Sequence, residues 1–188
     1  MDRLNDYSGE LIPNLTPTDF SADALEKIVQ LYSKLYTALD GFWYLTVKDR
    51  ISNEEALACD IRVWELLGKY EMKSIANWLN IKGNDVIAVL KAFQLSPMFQ
   101  HMQHNIEIFN NKHAILTVTH CPTLNALEKE GQGREKQICN MVDPRIFKVM
   151  ASFFNPDIDV KCLKSAPRKN TEEICCQWEF KLADNTPK

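Results

Sequence analysis

Met102-Gln103-His104-Asn105-Ile106-Glu107-Ile108-Phe109-Asn110-Asn111-Lys112-His113-Ala114-Ile115-Leu116-Thr117-Val118-Thr119-His120-Cys121 is the stretch that decides the fold. Met102, His104, Ile106 and Ile108 alternate with Gln103, Asn105 and Glu107, the period of two that a half-buried strand requires. Asn110-Asn111 is a turn signal. Ala114, Leu116, Val118 and His120 then alternate with Ile115, Thr117, Thr119 and Cys121. The spacing predicts an antiparallel hairpin with strands over 101–109 and 113–121. The second strand is apolar on both faces, which places it inside a sheet rather than at its edge.

Downstream, Pro122 sits where proline favours the first turn of a helix, and Leu124, Ala126 and Leu127 follow. Gly131-Gln132-Gly133 ends that helix. Asp143-Pro144 opens another, whose wide apolar stripe is Ile146, Phe147, Val149, Met150, Phe153 and Phe154. Asn155-Pro156 closes it. Alternation returns at Ile158, Val160 and Cys162, and again at Ile174, Cys176, Trp178, Phe180 and Leu182. These predict strands over 157–162 and 173–182. The second half therefore reads ββααββ, an α+β arrangement with a four-stranded antiparallel sheet.

Upstream of the hairpin the period is helical. Residues 1–20 read as a surface arm. Ser21 caps a helix over 22–39, carried by Leu25, Ile28, Tyr32, Leu35, Tyr36 and Leu39 and stopped at Asp40-Gly41. The aromatic run Phe42-Trp43-Tyr44-Leu45 reads as core packing or as one wall of a ligand pocket. Ser52 and Glu55 form a capping box ahead of a long helix, on which Asp60 and Trp64 share a face. Residues 72–93 have helix-turn-helix spacing. Their second helix carries only one basic residue, Lys91, so an ordinary helical hairpin fits better than a base-reading element. The expected organisation is an arm over 1–20, a helical region over 21–96 and a cysteine-containing α+β region over 97–188, packed as one domain.

The 188 residues are 45% hydrophobic with a formal net charge of −3, enough for a substantial core and without the basic surplus that phosphate binding needs. The first 19 residues lack the apolar run of a signal peptide, and no apolar stretch reaches the roughly 18 residues of a membrane span. A cytoplasmic protein with reduced cysteines is expected.

Five of the six cysteines fall between His120 and Phe180. Cys121, Cys139, Cys162 and Cys176 are widely spaced and contain no Cys-x-x-Cys pair, the short spacing typical of zinc sites. The residues leave three roles open: ligands of a metal or iron–sulfur centre, buried free thiols, or a redox or nucleophilic cysteine. His120 and Cys121 are strand neighbours pointing to opposite faces, so they do not form a dyad with each other. No nucleophile elbow, phosphate loop or dinucleotide fingerprint occurs.

Asp40-Gly41-Phe42-Trp43, Asp60 with Val63-Trp64, Cys121-Pro122, Gly131-x-Gly133, Cys139, Pro156-x-Ile158-x-Val160-x-Cys162, Pro167 and Cys176-x-Trp178-x-Phe180 together resemble a family of uncharacterised bacterial and archaeal cytosolic proteins, over roughly residues 20–182. More distantly, the cysteine half is similar to L-2-amino-thiazoline-4-carboxylate hydrolase-like proteins and to vinyl-reductase-type small-molecule-binding domains. The close resemblance implies no established activity, but Cys121, Cys139, Cys162 and Cys176 all match its cysteines. The distant ones imply hydrolysis of a small cyclic amide-like substrate, or binding of a small ligand. Arg168 and the second thiol of Cys175 depart from the close pattern.

The leading expectation is a small-molecule-binding protein with its pocket between the helices and the sheet. Trp43, Asp60, Trp64 and His120 are the candidate ligand-binding residues. Cys121, Cys139, Cys162 and Cys176 are the candidate ligands of a zinc or iron–sulfur centre, with Cys59 and Cys175 outside that set. A metal-assisted hydrolase of a cyclic amide-like substrate is the alternative, and a DNA-binding regulator the third reading. The expected partners are a small-molecule ligand and, as an open option, a second copy in a homodimer, with neither membrane nor nucleic acid.

Overall fold

The computed structural model describes residues 3–183. Three helices come first: α1 (Ala22–Arg50), α2 (Asn53–Trp78) and α3 (Val86–Leu95). The hairpin β1 (Gln103–Asn110) and β2 (His113–His120) follows, then α4 (Pro122–Glu130) and a single turn, α5 (Glu135–Gln137). A π-helical segment, Ile138–Val142, runs directly into α6 (Asp143–Phe154), and β3 (Ile158–Lys164) and β4 (Cys176–Leu182) close the chain. The strands form one antiparallel sheet in the order β1-β2-β4-β3. The α+β class and the interior place of β2 are as the alternation predicts.

Register follows burial. Leu116 lies opposite Ile106 on one side and Trp178 on the other, and Ala114 lies opposite Phe180. One face of the sheet is thereby lined with Ala114, Leu116, Trp178, Phe180 and Ile158, all fully buried. Phe147 of α6 meets the Trp178 ring edge-on at 4.6 Å between centroids, and Phe93 of α3 stacks on Phe99 at 5.1 Å. The other face stays polar, with Gln177 donating to Thr117 at 2.9 Å and His113 beside Glu179 at 2.9 Å. Gly68 lets α6 approach α2, because a Cβ there would stand 3.3 Å from Met150 Cγ.

One expectation changes. The helix predicted to stop at Asp40-Gly41 continues to Arg50. A glycine inside a helix costs only about 1 kcal/mol. The inward stripe Tyr36, Asp40, Tyr44 and Val47 runs through it at helical spacing, and Tyr44 is buried. Continuing that burial outweighs the break. Residues 72–93 form the end of α2 and most of α3, a helical hairpin. Asp85 caps α3 by accepting from the Ala88 N–H at 3.0 Å, and Val86, Ala88, Val89, Leu90, Ala92 and Phe93 are all buried. Lys91, Gln94 and Leu95 are its exposed positions. No helix of the described residues is long and apolar enough to cross a membrane.

Candidate functional site

The continuous α1 creates the site. Its middle two turns stand over α4, leaving a cavity of about 590 Å³ between them. Thr37, Ala38, Gly41, Phe42 and Leu45 line it from α1, and Pro122, Thr123, Ala126 and Leu127 from α4. Ile138 of the π-segment adds to the wall, and His101, just before β1, and His120, ending β2, come from the open end of the hairpin. Gly41 has no atom within 4 Å of where its Cβ would stand, so its missing side chain is part of the open space.

Asp40 from α1 and Asp60 from α2 meet in this wall. Asp60 is only 6% exposed. The two carboxyls lie close enough to influence each other, and the buried Trp64 side chain lies beside them. Burial pushes both above the ordinary carboxylate range, and the neighbouring charge of Asp40 pushes Asp60 further, up to about 8. Two carboxyls in one dry site cannot both ionise cheaply, so they titrate as a unit and retain a proton near neutral pH. Neither has an ion-pair partner among the described residues.

Lys34, Arg134, His101 and His120 are the basic residues of the lining, and Arg134 is engaged with Glu130. Arg134 donates to Glu130 through Nε at 2.7 Å and lies over the Tyr44 ring at 4.8 Å. Lys48 reaches the same glutamate at 3.2 Å. Burial alone would raise the Glu130 carboxyl, but Arg134 and Lys48 together hold it low. His101 is drawn below its ordinary range, first by burial, and its ring nitrogens contact Ser33 and Thr37.

The other predicted site residues separate. Asp60 and His120 lie on the cavity wall, and the buried Trp64 stands behind it, beside the carboxyls. His120 is exposed at the strand end rather than buried beside Val118. Trp43 is 60% exposed and lines no part of the cavity, because the uninterrupted helix turns it outward.

The cysteines regroup as well. Cys139 and Cys175 are buried in a small second core with Val118, Leu124 and Ala166, and Cys121 and Cys176 pack against it. Cys162 is not part of that core. It lies opposite Trp178 on β3, packed at the margin of the main core. Cys175, expected on the far side of its strand, precedes β4 and turns inward, with its N–H bonded to Val118 O at 2.8 Å. Cys59 stays apart on α2, as expected. Among the described residues no group of three or more His, Cys, Asp or Glu side chains is placed to hold a metal ion. Burial pushes the Cys121 thiol up to about 12 and raises Cys139 and Cys176 too. Asp143, at the start of α6, is pushed up by burial to about 7 and adds negative charge toward these thiols. The residues do not fit the zinc or iron–sulfur centre expected of them.

A family model matches residues 18–182. The chain belongs to DUF6125, a family of unknown function. The match spans the whole of α1 to β4, so the cavity and both cysteine groups lie inside the DUF6125 unit. No curated protein and no solved structure matches the chain.

Sequence reasoning missed Asp40, His101 and Arg134. Asp40 was hidden by the glycine after it, which reads as a helix stop. The signal was present: Asp40 lies four residues from both Tyr36 and Tyr44, so it belongs to the inward stripe. His101 and Arg134 sit in irregular segments, where periodicity gives no direction.

Proposed function

We propose that this DUF6125 protein binds a small molecule in the cavity between α1 and α4, with an apolar body against Ala38, Gly41, Phe42 and Leu127 and a basic nitrogen on the Asp40–Asp60 pair. The observation that carries this reading is a carboxyl pair with no ion-pair partner among the described residues, in a cavity whose surface is mainly apolar. Pockets of this kind take their specificity from a few placed polar groups. A ligand cation at the pair would replace the retained proton and remove the like-charge cost together. Six unpaired thiols suit a reducing compartment, and we place the protein in the cytoplasm on that ground. The test is a thermal-shift comparison of arylalkylamines with the matching alcohols. Amines should raise the melting temperature and alcohols should not, and equal responses would refute the reading.

A second reading, hydrolysis of a small cyclic amide, draws on the same pair. A carboxyl that keeps its proton near neutral pH can serve as a general acid, and its ionised neighbour as a base. Turnover of a cyclic amide that disappears in Asp60→Asn would favour it. The cysteines enter neither reading as metal ligands, because their arrangement does not fit one.

A further inference from the structure

The face of the α1–α2 hairpin turned away from the cavity is apolar and has nothing packed on it among the described residues. On α1, Tyr36 and Asp40 meet α2, while Lys34, Thr37 and Gly41 lie about a quarter-turn to one side, toward the cavity. Tyr32, Leu35, Leu39 and Trp43 lie about a quarter-turn to the other side. On α2, Asp60, Trp64 and Glu71 meet α1, Gly68 meets α6, and Val63, Leu66 and Tyr70 lie on the opposite flank. Because α1 and α2 run antiparallel in contact, these two outer flanks fall on one side of the molecule. All seven side chains are between 41% and 70% exposed.

We propose that this face pairs with the same face of a second copy of the chain, joining two helical hairpins into a four-helix interface. The area favours this occupant. Three exposed aromatics and four aliphatics amount to roughly 800–1,000 Å² per chain, beyond the usual largest apolar patch of a monomer and about one side of a standard interface. The stripe repeats at steps of three and four residues on both helices, the pattern that bundle packing uses. One patch that serves both partners is what a two-fold dimer requires. The bordering charges mix signs, with Arg62 paired to Glu65 at 3.7 Å and Lys69 nearby. A lipid-binding helix would show a one-signed basic border.

Sedimentation velocity of the full chain at tens of micromolar should give twice the chain mass. Leu39→Glu and Leu66→Glu place a charge in the middle of each stripe at positions exposed in the monomer. Each should weaken the dimer by about 30-fold or more while leaving the helical circular dichroism unchanged. The wild-type melting temperature should also rise with protein concentration, a readout that needs no variant. A monomeric wild type, a dimer that survives both substitutions together, a concentration-independent melting temperature, or a monomer that co-sediments with anionic vesicles would each overturn the proposal.

Discussion

Replacing Asp60 by asparagine tests the carboxyl pair without changing its shape. In the folded chain Asp60 is raised from an ordinary 3.8 to about 8, so the folded state holds a proton that the unfolded state has lost across that window. The folded state then binds more protons, and stability must fall as pH rises through the window. The contribution is complete below the unfolded value and gone above the folded one. At 1.36 kcal/mol per unit the ceiling is about 6 kcal/mol, and relaxation and sharing with Asp40 reduce it to roughly 2–4 kcal/mol. Asparagine cannot ionise, so the variant lacks this slope. Urea unfolding of both proteins at pH 5, 7 and 9 should show the variant gaining on the wild type by roughly 2–4 kcal/mol across the series. Glu71 is also raised by burial, but both proteins carry it and it cancels in the difference. Parallel stability profiles, with a difference constant within about 0.5 kcal/mol, would refute the shared-proton reasoning.

Trp178→Ala should cost about 3–5 kcal/mol in urea unfolding, because the ring is fully buried against Phe147. Gly41→Ala should add about 0.5–1 kcal/mol, since a helical Cβ there meets nothing within 4 Å. Arg168, whose side chain is 4% exposed, grips Glu128 through two nitrogens at 2.8 and 2.7 Å. Its alanine variant should lose about 2 kcal/mol by thermal unfolding, and lysine should recover little of it, because one ammonium cannot reproduce the fork. In a thiol-labelling time course Cys59 should react before Cys139 and Cys175, which should wait for unfolding.

The sheet was legible because alternation is a local signal that survives tertiary context. Leu116, Trp178 and Phe180 could each be assigned a face from their neighbours, and β2 its interior place from being apolar on both. The end of α1 was not legible, because a glycine's local cost says nothing of the burial that Tyr44 gains one turn later. That single misreading hid Asp40 and turned Trp43 inward on paper. The cysteines failed for a related reason. Cys175 and Cys176 straddle the start of β4, where alternation begins, and Cys139 sits in a π-segment whose extra residue shifts every direction after it. Asp60 and Trp64 were correctly joined because four-residue spacing in a long helix fixes a shared face.

Calorimetric titration with 2-phenylethylamine at pH 7, run in two buffers of different ionisation enthalpy, tests the binding reading most directly. The account predicts binding with release of close to one proton per amine, lost when Gly41→Phe fills the cavity and without release in Asp60→Asn. Binding that releases no proton in the wild type, or that persists unchanged in Gly41→Phe, would contradict it.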